Sequence, residues 1–327
     1  RREKKTNREI REGDKRMAEY IFGVDVGGTT VKMGLFDKEG NVLEKWEIPT
    51  RTENHGENIL PDIAASIKEK MVQKSIVKED VEGVGIGTPG PVERSGIVHQ
   101  AVNLGWPEMN MKTELTALLN GMRVEGGNDA NVAALGEMWK GGGQGYKNLV
   151  AVTLGTGVGG GIIINGEIMT GSTGSGGEIG HIHVEDNETE ACNCGNFGCL
   201  EEYASATGIT RLANRALQAS DKDSVLRKSE VSAKAVFDAV KAGDELAIEV
   251  AKQFGEYLGK ALGVIAAIVN PEIFVIGGGV SKAGEVLFEY IKPAFERTAF
   301  HGCKNVVFAL ATLGNDAGIY GAARLLL

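Results

Sequence analysis

Three of the chain's four cysteines, Cys192, Cys194 and Cys199, fall within eight residues, and His181 stands eleven residues ahead of the first. Thiolate and imidazole are the ligands tetrahedral zinc prefers, so one short segment offers a Cys3His set. Gly195 and Gly198 suit a tight turn that brings backbone N–H groups up to the sulfurs. His183 competes with His181 for the fourth position. Two plainer readings stand beside zinc: loop thiols without a ligand, and a disulfide. A Cys192–Cys194 bridge would be badly strained, and a single further cysteine, Cys303, in 327 residues is the usage of a reducing compartment, so a cytoplasmic protein is expected.

A second kind of chemistry is written in glycine. Asp25-Val26-Gly27-Gly28-Thr29-Thr30 and Gly155-Thr156-Gly157 each join two stretches that read as strands. Consecutive N–H groups with no β-carbon in the way form an anion-binding nest, so the pair reads as two phosphate clamps for a nucleotide; either alone is equally a plain hairpin turn. Gly155-x-Gly157-x-x-Gly160 matches the dinucleotide fingerprint literally, yet Ile162-Ile163-Ile164 follows as a strand where that fingerprint needs a helix, which argues against NAD. No Gly-x-x-x-x-Gly-Lys-Ser/Thr run exists, which removes the P-loop. Asp25 ends a strand that reads as buried, a costly place for an unpaired carboxylate, and a hydrated Mg2+ would satisfy it. Lys32 either reaches a phosphate or is a solvated strand lysine. Asp129, in Asn128-Asp129-Ala130-Asn131 at a strand–helix junction, either caps the helix or takes a proton.

Glu178-x-Gly-His181 followed by Cys192-x-Cys194-Gly-x-x-Gly-Cys199-x-Glu201 resembles the pattern of the ROK family (repressors, open reading frames and sugar kinases), in its glucokinase branch. The resemblance extends from about Tyr20 to the C-terminus. It implies an α/β, actin-like (ribonuclease H-like) ATPase fold, with two similar domains flanking a cleft, and phosphorylation of glucose at O6 by ATP with Mg2+. It places Asp129 as the general base and Asn103, Asn128, Asp129, Glu178, His181 and Glu201 around the sugar, a mixture of donors and acceptors suited to hydroxyls. Gly277-Gly278-Gly279 would border the adenosine. Zinc is then structural, and His181 is preferred to His183 because one imidazole nitrogen can bind the metal while the other faces the sugar. A kinase for fructose, mannose or an N-acetylhexosamine would share this pattern, as would a sugar-responsive repressor. That rival normally carries a helix-turn-helix domain, and only some twenty residues precede Val24. A homodimer or higher homo-oligomer is expected.

The frame for these groups is a chain of 327 residues with 42% hydrophobic content, enough for a sizeable core and two domains. No apolar run approaches the ~18 residues of a membrane span, and the N-terminus lacks a secretory core. A net charge of −9 argues against a general nucleic-acid binder. Residues 1–16, with eight Lys/Arg against four Asp/Glu, read as a solvated basic tail or added extension ahead of a natural start near Met17, rather than as an arm gripping nucleic acid. Residues 17–127 with 314–327 are expected as the N-terminal domain, and 128–313 as the C-terminal domain with the zinc site.

Residues 20–27, 31–37 and 42–50 read as strands, and 57–73 as a helix with Leu60, Ala64, Ile67 and Met71 on one face. Strand 81–88 stops at Pro89-Gly90-Pro91; helix 110–119, strand 123–127 and helix 131–140 follow. Strand 148–154, a loop over 155–161 and strand 162–165 repeat the plan of 24–36, which implies two similar halves. Helices are expected at 204–220, 232–242 and 244–269, the last capped by Asp244 and carrying the stripe Ala247, Ala251, Phe254, Leu258, Leu262, Ile265. Strand 273–276, helix 284–298, strand 306–311 and helix 316–326 close the chain, the last packing back on the first domain.

Overall fold

β1 (Tyr20–Val26), β2 (Thr30–Asp37) and β3 (Val42–Pro49) form an antiparallel meander, and parallel strands β4 (Val81–Thr88) and β7 (Val124–Asn128) extend it past β1 in the order β3-β2-β1-β4-β7. These come from a computed structural model that describes residues 18–228 and 230–327; the basic tail expected at 1–16 lies outside the described residues. Irregular turn α1 (Glu53–Gly56), helix α2 (Ile59–Lys74), a small hairpin of β5 (Ile97–Val98) and β6 (Met109–Asn110), and helix α3 (Met111–Leu118) fill the connections. Past helix α4 (Asp129–Lys140) the plan repeats. β8 (Leu149–Leu154), β9 (Val158–Ile164) and β10 (Glu167–Ile168) make a second meander, and parallel β11 (Ile273–Gly277) and β12 (Val307–Leu310) extend it in the order β10-β9-β8-β11-β12.

Helices α5 (Glu201–Ala204), α6 (Ala206–Ala219), α7 (Ala233–Lys241), α8 (Glu245–Val269) and α9 (Val286–Thr298) lie between β10 and β12 in the chain. The Asp244 side chain accepts the N–H of Ala247 at the start of α8, and all six residues of the expected stripe are buried, joined to the β8 and β11 side chains Val150, Val152, Phe274 and Ile276 in one core. No helix among the described residues is long and apolar enough to cross a membrane.

The last helix, α10 (Ala317–Arg324), crosses α4 and lies on β1 and β4. Only glycine permits the approach. A β-carbon on Gly321 would sit 1.6 Å from Val132 O, and one on Gly136 2.2 Å from Ala317 O; on the sheet side, one on Gly85 would sit 1.7 Å from Ala322 O. The buried Glu137 carboxylate ties the C-terminal end of α4 to the chain entering α10, accepting the N–H groups of Gly142, Thr312 and Leu313 at 2.8, 3.0 and 2.9 Å.

Residues 155–161 are not one loop, contrary to expectation. The turn ends at Gly157, and Gly159, Gly160 and Gly161 belong to β9. A β-carbon on Gly161 would lie 2.4 Å from Ala134 Cβ and one on Gly160 2.5 Å from Gly177 O, so the glycines thin the strand where α4 and the 177–179 segment press on it. The helix expected over 204–220 is broken at Ser205, whose hydroxyl caps α6 by accepting the Gly208 N–H at 2.9 Å. The helix expected from residue 131 begins two residues earlier, at Asp129.

Candidate active site

The ends of β1 and β7 bring two carboxylates into one field. Asp25 lies opposite Lys32 in the β1–β2 register. Burial pushes its carboxyl up to about 6; the Lys32 charge opposes the rise and the Asp129 charge adds to it. Burial also raises Asp129, whose Oδ1 accepts the Ala130 N–H at 2.7 Å in partial compensation, while the charge of Glu178 pushes it further up. The charge of Asp129 thus acts on Asp25, and that of Glu178 on Asp129. Asp25 rests on the first turn of α10, where a β-carbon on Gly318 would be 2.5 Å from its Cγ. Lys32 Nζ donates to Asn315 O at 3.1 Å, so the lysine tethers the approach to α10 to the first glycine turn and is not simply solvated.

Asn128, not Asp129, caps α4. Its Oδ1 accepts the N–H groups of Ala130 and Asn131 at 3.0 and 3.1 Å, and its Nδ2 donates to Gly90 O at 3.1 Å. The Asn128 side chain also hydrogen-bonds the Asp129 carboxylate, which opposes the rise in its pKa. Asp129, in the first helical position, is relieved of capping.

Both glycine turns are tight. In the first, the Gly27 N–H donates to Thr30 O at 3.0 Å, Thr50 Oγ1 donates to Gly27 O at 2.7 Å, and the Thr50 N–H donates to Thr29 O at 2.9 Å. A β-carbon on Gly28 would come no nearer than 3.9 Å to Asn103 O, which puts the exposed Asn103, in the single turn Val102–Leu104, beside this clamp. In the second turn, with Thr156 at its tip, the Gly155 N–H donates to Gly157 O at 3.0 Å, and a β-carbon on Gly155 would find nothing closer than 4.0 Å. Gly278, at a φ of +84°, packs on the Leu154 backbone next to Gly155, whereas Gly277 ends β11 and Gly279 faces open space.

One ligand atom from each of His181, Cys192, Cys194 and Cys199 lies within 4.8 Å of the others. Cys194 Sγ and Cys199 Sγ are 3.6 Å apart, Cys192 Sγ and His181 Nδ1 3.8 Å, and no disulfide forms. Metal–sulfur bonds of ~2.3 Å give a tetrahedron edges of about 3.8 Å, so the donor set fits zinc in both chemistry and spacing. His183 points elsewhere: Phe197 O and Asp186 Oδ1 hold its two ring nitrogens, each at 2.9 Å. The loop between His181 and Cys192 is anchored by Glu188, which takes the Tyr203 hydroxyl and the guanidinium groups of Arg211 and Arg215. Burial would raise this carboxyl, but the Tyr203 hydroxyl, the Glu190 N–H and the two arginines hold it down at about 2.

A clasp holds the loop around Asn103. His99 Nε2 meets Glu93 Oε1 at 2.8 Å and Nδ1 meets Glu108 Oε2 at 3.1 Å, and the two carboxylates, Glu108 foremost, raise its pKa. A raised histidine adds stability that is fully present below the ordinary value near ~6.5 and is lost as pH climbs through the folded value. The melting-temperature gap between wild type and His99→Gln should therefore be widest in mild acid and narrow in mild base; a gap constant with pH would refute the clasp.

A cavity of about 910 Å³ runs along α4 between the edge strands β7 and β10 and meets the predicted site residues only at Asn128. It holds none of the carboxylates or cysteines above.

The model of the ROK family matches residues 21–327. The chain belongs to the ROK family. This ROK chain is 45% identical to a glucokinase of Halalkalibacterium halodurans, with 94% of each chain covered, and 39% identical to a glucokinase of Thermotoga maritima, with 94% of this chain and 96% of the other covered. Among solved structures it resembles a ROK glucokinase from Streptomyces griseus in complex with glucose and AMPPNP, at 33% identity and a TM-score of 0.72 over 94% of this chain and 98% of that one. The two repeated sheets are the actin-like ROK fold expected from the sequence. Sequence reasoning missed Asn315, Gly318 and Val158, the last donating its N–H to Glu201 Oε2 at 3.4 Å. Gly318 left a trace, a small residue at the start of a helix; the other two act through backbone atoms, which no residue type reports.

Proposed function

We propose that this chain is an ATP-dependent glucokinase that transfers a phosphoryl group to O6 of glucose, with Asp129 as the general base. The observation that carries the reading is Asp129 at the head of α4, its proton affinity raised by burial and by Glu178, in the same field as Asp25 beside the first glycine turn. Two relatives named glucokinase, at 45% and 39% identity over nearly the whole chain, support it.

The O6 hydroxyl must lose its proton as the phosphoryl group arrives. A carboxylate lifted toward neutrality accepts that proton more readily than one at the ordinary value, provided it is still ionised. The N–H groups of Gly28 and Thr29 in the first turn and of Thr156 and Gly157 in the second hold phosphate oxygens, while those of Gly27 and Gly155 close the turns themselves, and Gly279 leaves room for the nucleobase. The Mg2+ that travels with the nucleotide neutralises charge on its phosphates, and Asp25 is the residue that would hold it, through water. Asn103, Asn128, Asp129, Glu178, His181 and Glu201 bind the sugar hydroxyls. His181 would hold zinc through Nδ1, the nitrogen nearest Cys192, with Cys192, Cys194 and Cys199 as the other ligands. Its Nε2 is then the sugar-facing nitrogen, and the ion's contribution is to fix that ring.

A coupled ADP-release assay over glucose, fructose, mannose and N-acetylglucosamine tests the reading. The highest kcat/KM should fall to glucose; no ADP release with any hexose would overturn the kinase, and preference for another hexose would overturn the specificity. The nucleotide turn has its own test. Gly155→Val places its side chain in open space, so it should raise the KM for ATP far more than that for glucose. Equal effects on both substrates would remove the phosphate role. Gly157 is a poorer probe, because a β-carbon there would lie 2.4 Å from Glu201 Oε2 and disturb the sugar set as well.

A further inference from the structure

The Glu178 carboxylate makes no hydrogen bond or ion pair among the described residues, so its backbone alone decides where it stands. That backbone ends a run poor in side chains that could anchor it. Gly171, Gly174 and Gly177 take φ values of +72°, +79° and +94°, and Gly176 stands between the last two. The run needs a hold from outside itself.

Asn131 supplies one. It is buried in the first turn of α4, two residues after Asp129, and its Nδ2 donates to Gly176 O at 3.3 Å. Its Oδ1 faces Gly177, 3.3 Å from where a β-carbon would stand, while Gly160 O in β9 comes within 3.0 Å of the same point. The Ile179 N–H then donates to Gly177 O at 2.7 Å, closing a tight turn around Glu178. Hydrogen bonds thus run from the helical turn that carries Asp129 to the chain on either side of Glu178. Asn131 Oδ1 itself is buried with no partner. An orphaned acceptor is destabilising, and leucine, of similar shape, would fill the space without one. What leucine lacks is the donor to Gly176 O, and that donor is the reason the geometry gives for an amide here.

We propose that Asn131 is a positioning residue of the phosphoryl transfer: from the turn that carries Asp129 it holds the glycine-rich segment ending in Glu178, and so sets the spacing between the base and a carboxylate that binds the sugar. This deepens the reading of Asp129 as the base and of Glu178 as a sugar ligand, and rests on both. Asp129 and Glu178 lie 49 residues apart in the chain, on separate elements, yet one amide ties their supports together. Without it the segment can drift from α4, and the sugar is presented to Asp129 at the wrong angle.

Initial rates over glucose and ATP on wild type and Asn131→Leu test this. The kcat/KM for glucose should fall roughly 10–10²-fold, the scale of a misplaced binding group, while the KM for ATP stays within about twofold, because the contacts of Asn131 lie outside both phosphate turns. The Glu178→Ala background decides whether the loss passes through Glu178: adding Asn131→Leu there should cost less than about threefold more. A merely structural asparagine predicts a lower melting temperature and the same loss in both backgrounds. Asn131→Ser, too short to reach Gly176 O, repeats the series if the leucine variant does not fold. Unchanged glucose kinetics in a folded variant, or an undiminished loss on top of Glu178→Ala, overturns the positioning role alone. Wild type that phosphorylates no hexose, or Glu178→Ala with the glucose KM of wild type, overturns it together with the reading of the site on which it rests.

Discussion

Asp129→Asn should still bind glucose but turn over roughly 10²–10⁴-fold more slowly, the usual contribution of a positioned general base. Asparagine keeps the shape of the side chain and an oxygen able to accept the Ala130 N–H that Asp129 Oδ1 accepts at 2.7 Å. It cannot take the proton of the sugar hydroxyl. A purely structural role predicts a different result, and the structure sharpens the contrast, since Asn128 already caps α4 through the N–H groups of Ala130 and Asn131. Removing the charge of a residue that does not cap should leave the melting temperature close to that of wild type, or slightly above it, because a buried carboxylate is no longer charged. Measured kcat, glucose affinity and thermal melts decide between the two. A kcat within about threefold of wild type, with binding and stability unchanged, would mean that Asp129 is not the base, and Glu178 or Glu201 would be tried next.

The metal carries the second large effect. Purified wild type should hold one zinc per chain, and Cys194→Ser, which removes one of four donors at the exposed side of the cluster, should lose the metal and weaken glucose binding by about tenfold or more. The sugar suffers because the cluster fixes the His181 ring. Elemental analysis and glucose titration read the two losses separately. Wild type free of zinc, with Cys192 and Cys199 alkylated readily in the folded protein, would refute the site, since both thiols are buried.

Residue type and spacing exposed some of this and hid the rest. The strands around Asp25 were legible as short apolar runs stopped by glycine turns, and the stripe on α8 by its 3.6-residue period. The cysteine cluster was legible because few residue types bind metal and these crowd one segment. Gly159, Gly160 and Gly161 misled because glycine signals a loop in sequence, while here it serves a helix lying on a sheet, a tertiary cause with no local sign. Asn128 and Asp129 are interchangeable as caps by propensity, and only the hydrogen bonds to Ala130 and Asn131 assign the task. The meeting of Glu201 with Val158 joins residues 43 apart through a backbone N–H, which no pattern of side chains announces.

The crossing of α4 and α10 carries a warning for anyone who would engineer the protein to withstand heat. Replacing a helical glycine with alanine commonly stabilises by roughly 0.4–1 kcal/mol, because the unfolded chain has less freedom to lose. Gly136 and Gly321 look like natural targets, each inside a helix and neither with a left-handed backbone. The alanine methyl at either would instead be driven into the backbone of the opposite helix, to 2.2 Å from one carbonyl oxygen and 1.6 Å from the other. Backbone cannot step aside as a side-chain tip can, so the helices would have to part, taking with them the junction on which Asp129 and Asp25 are both mounted.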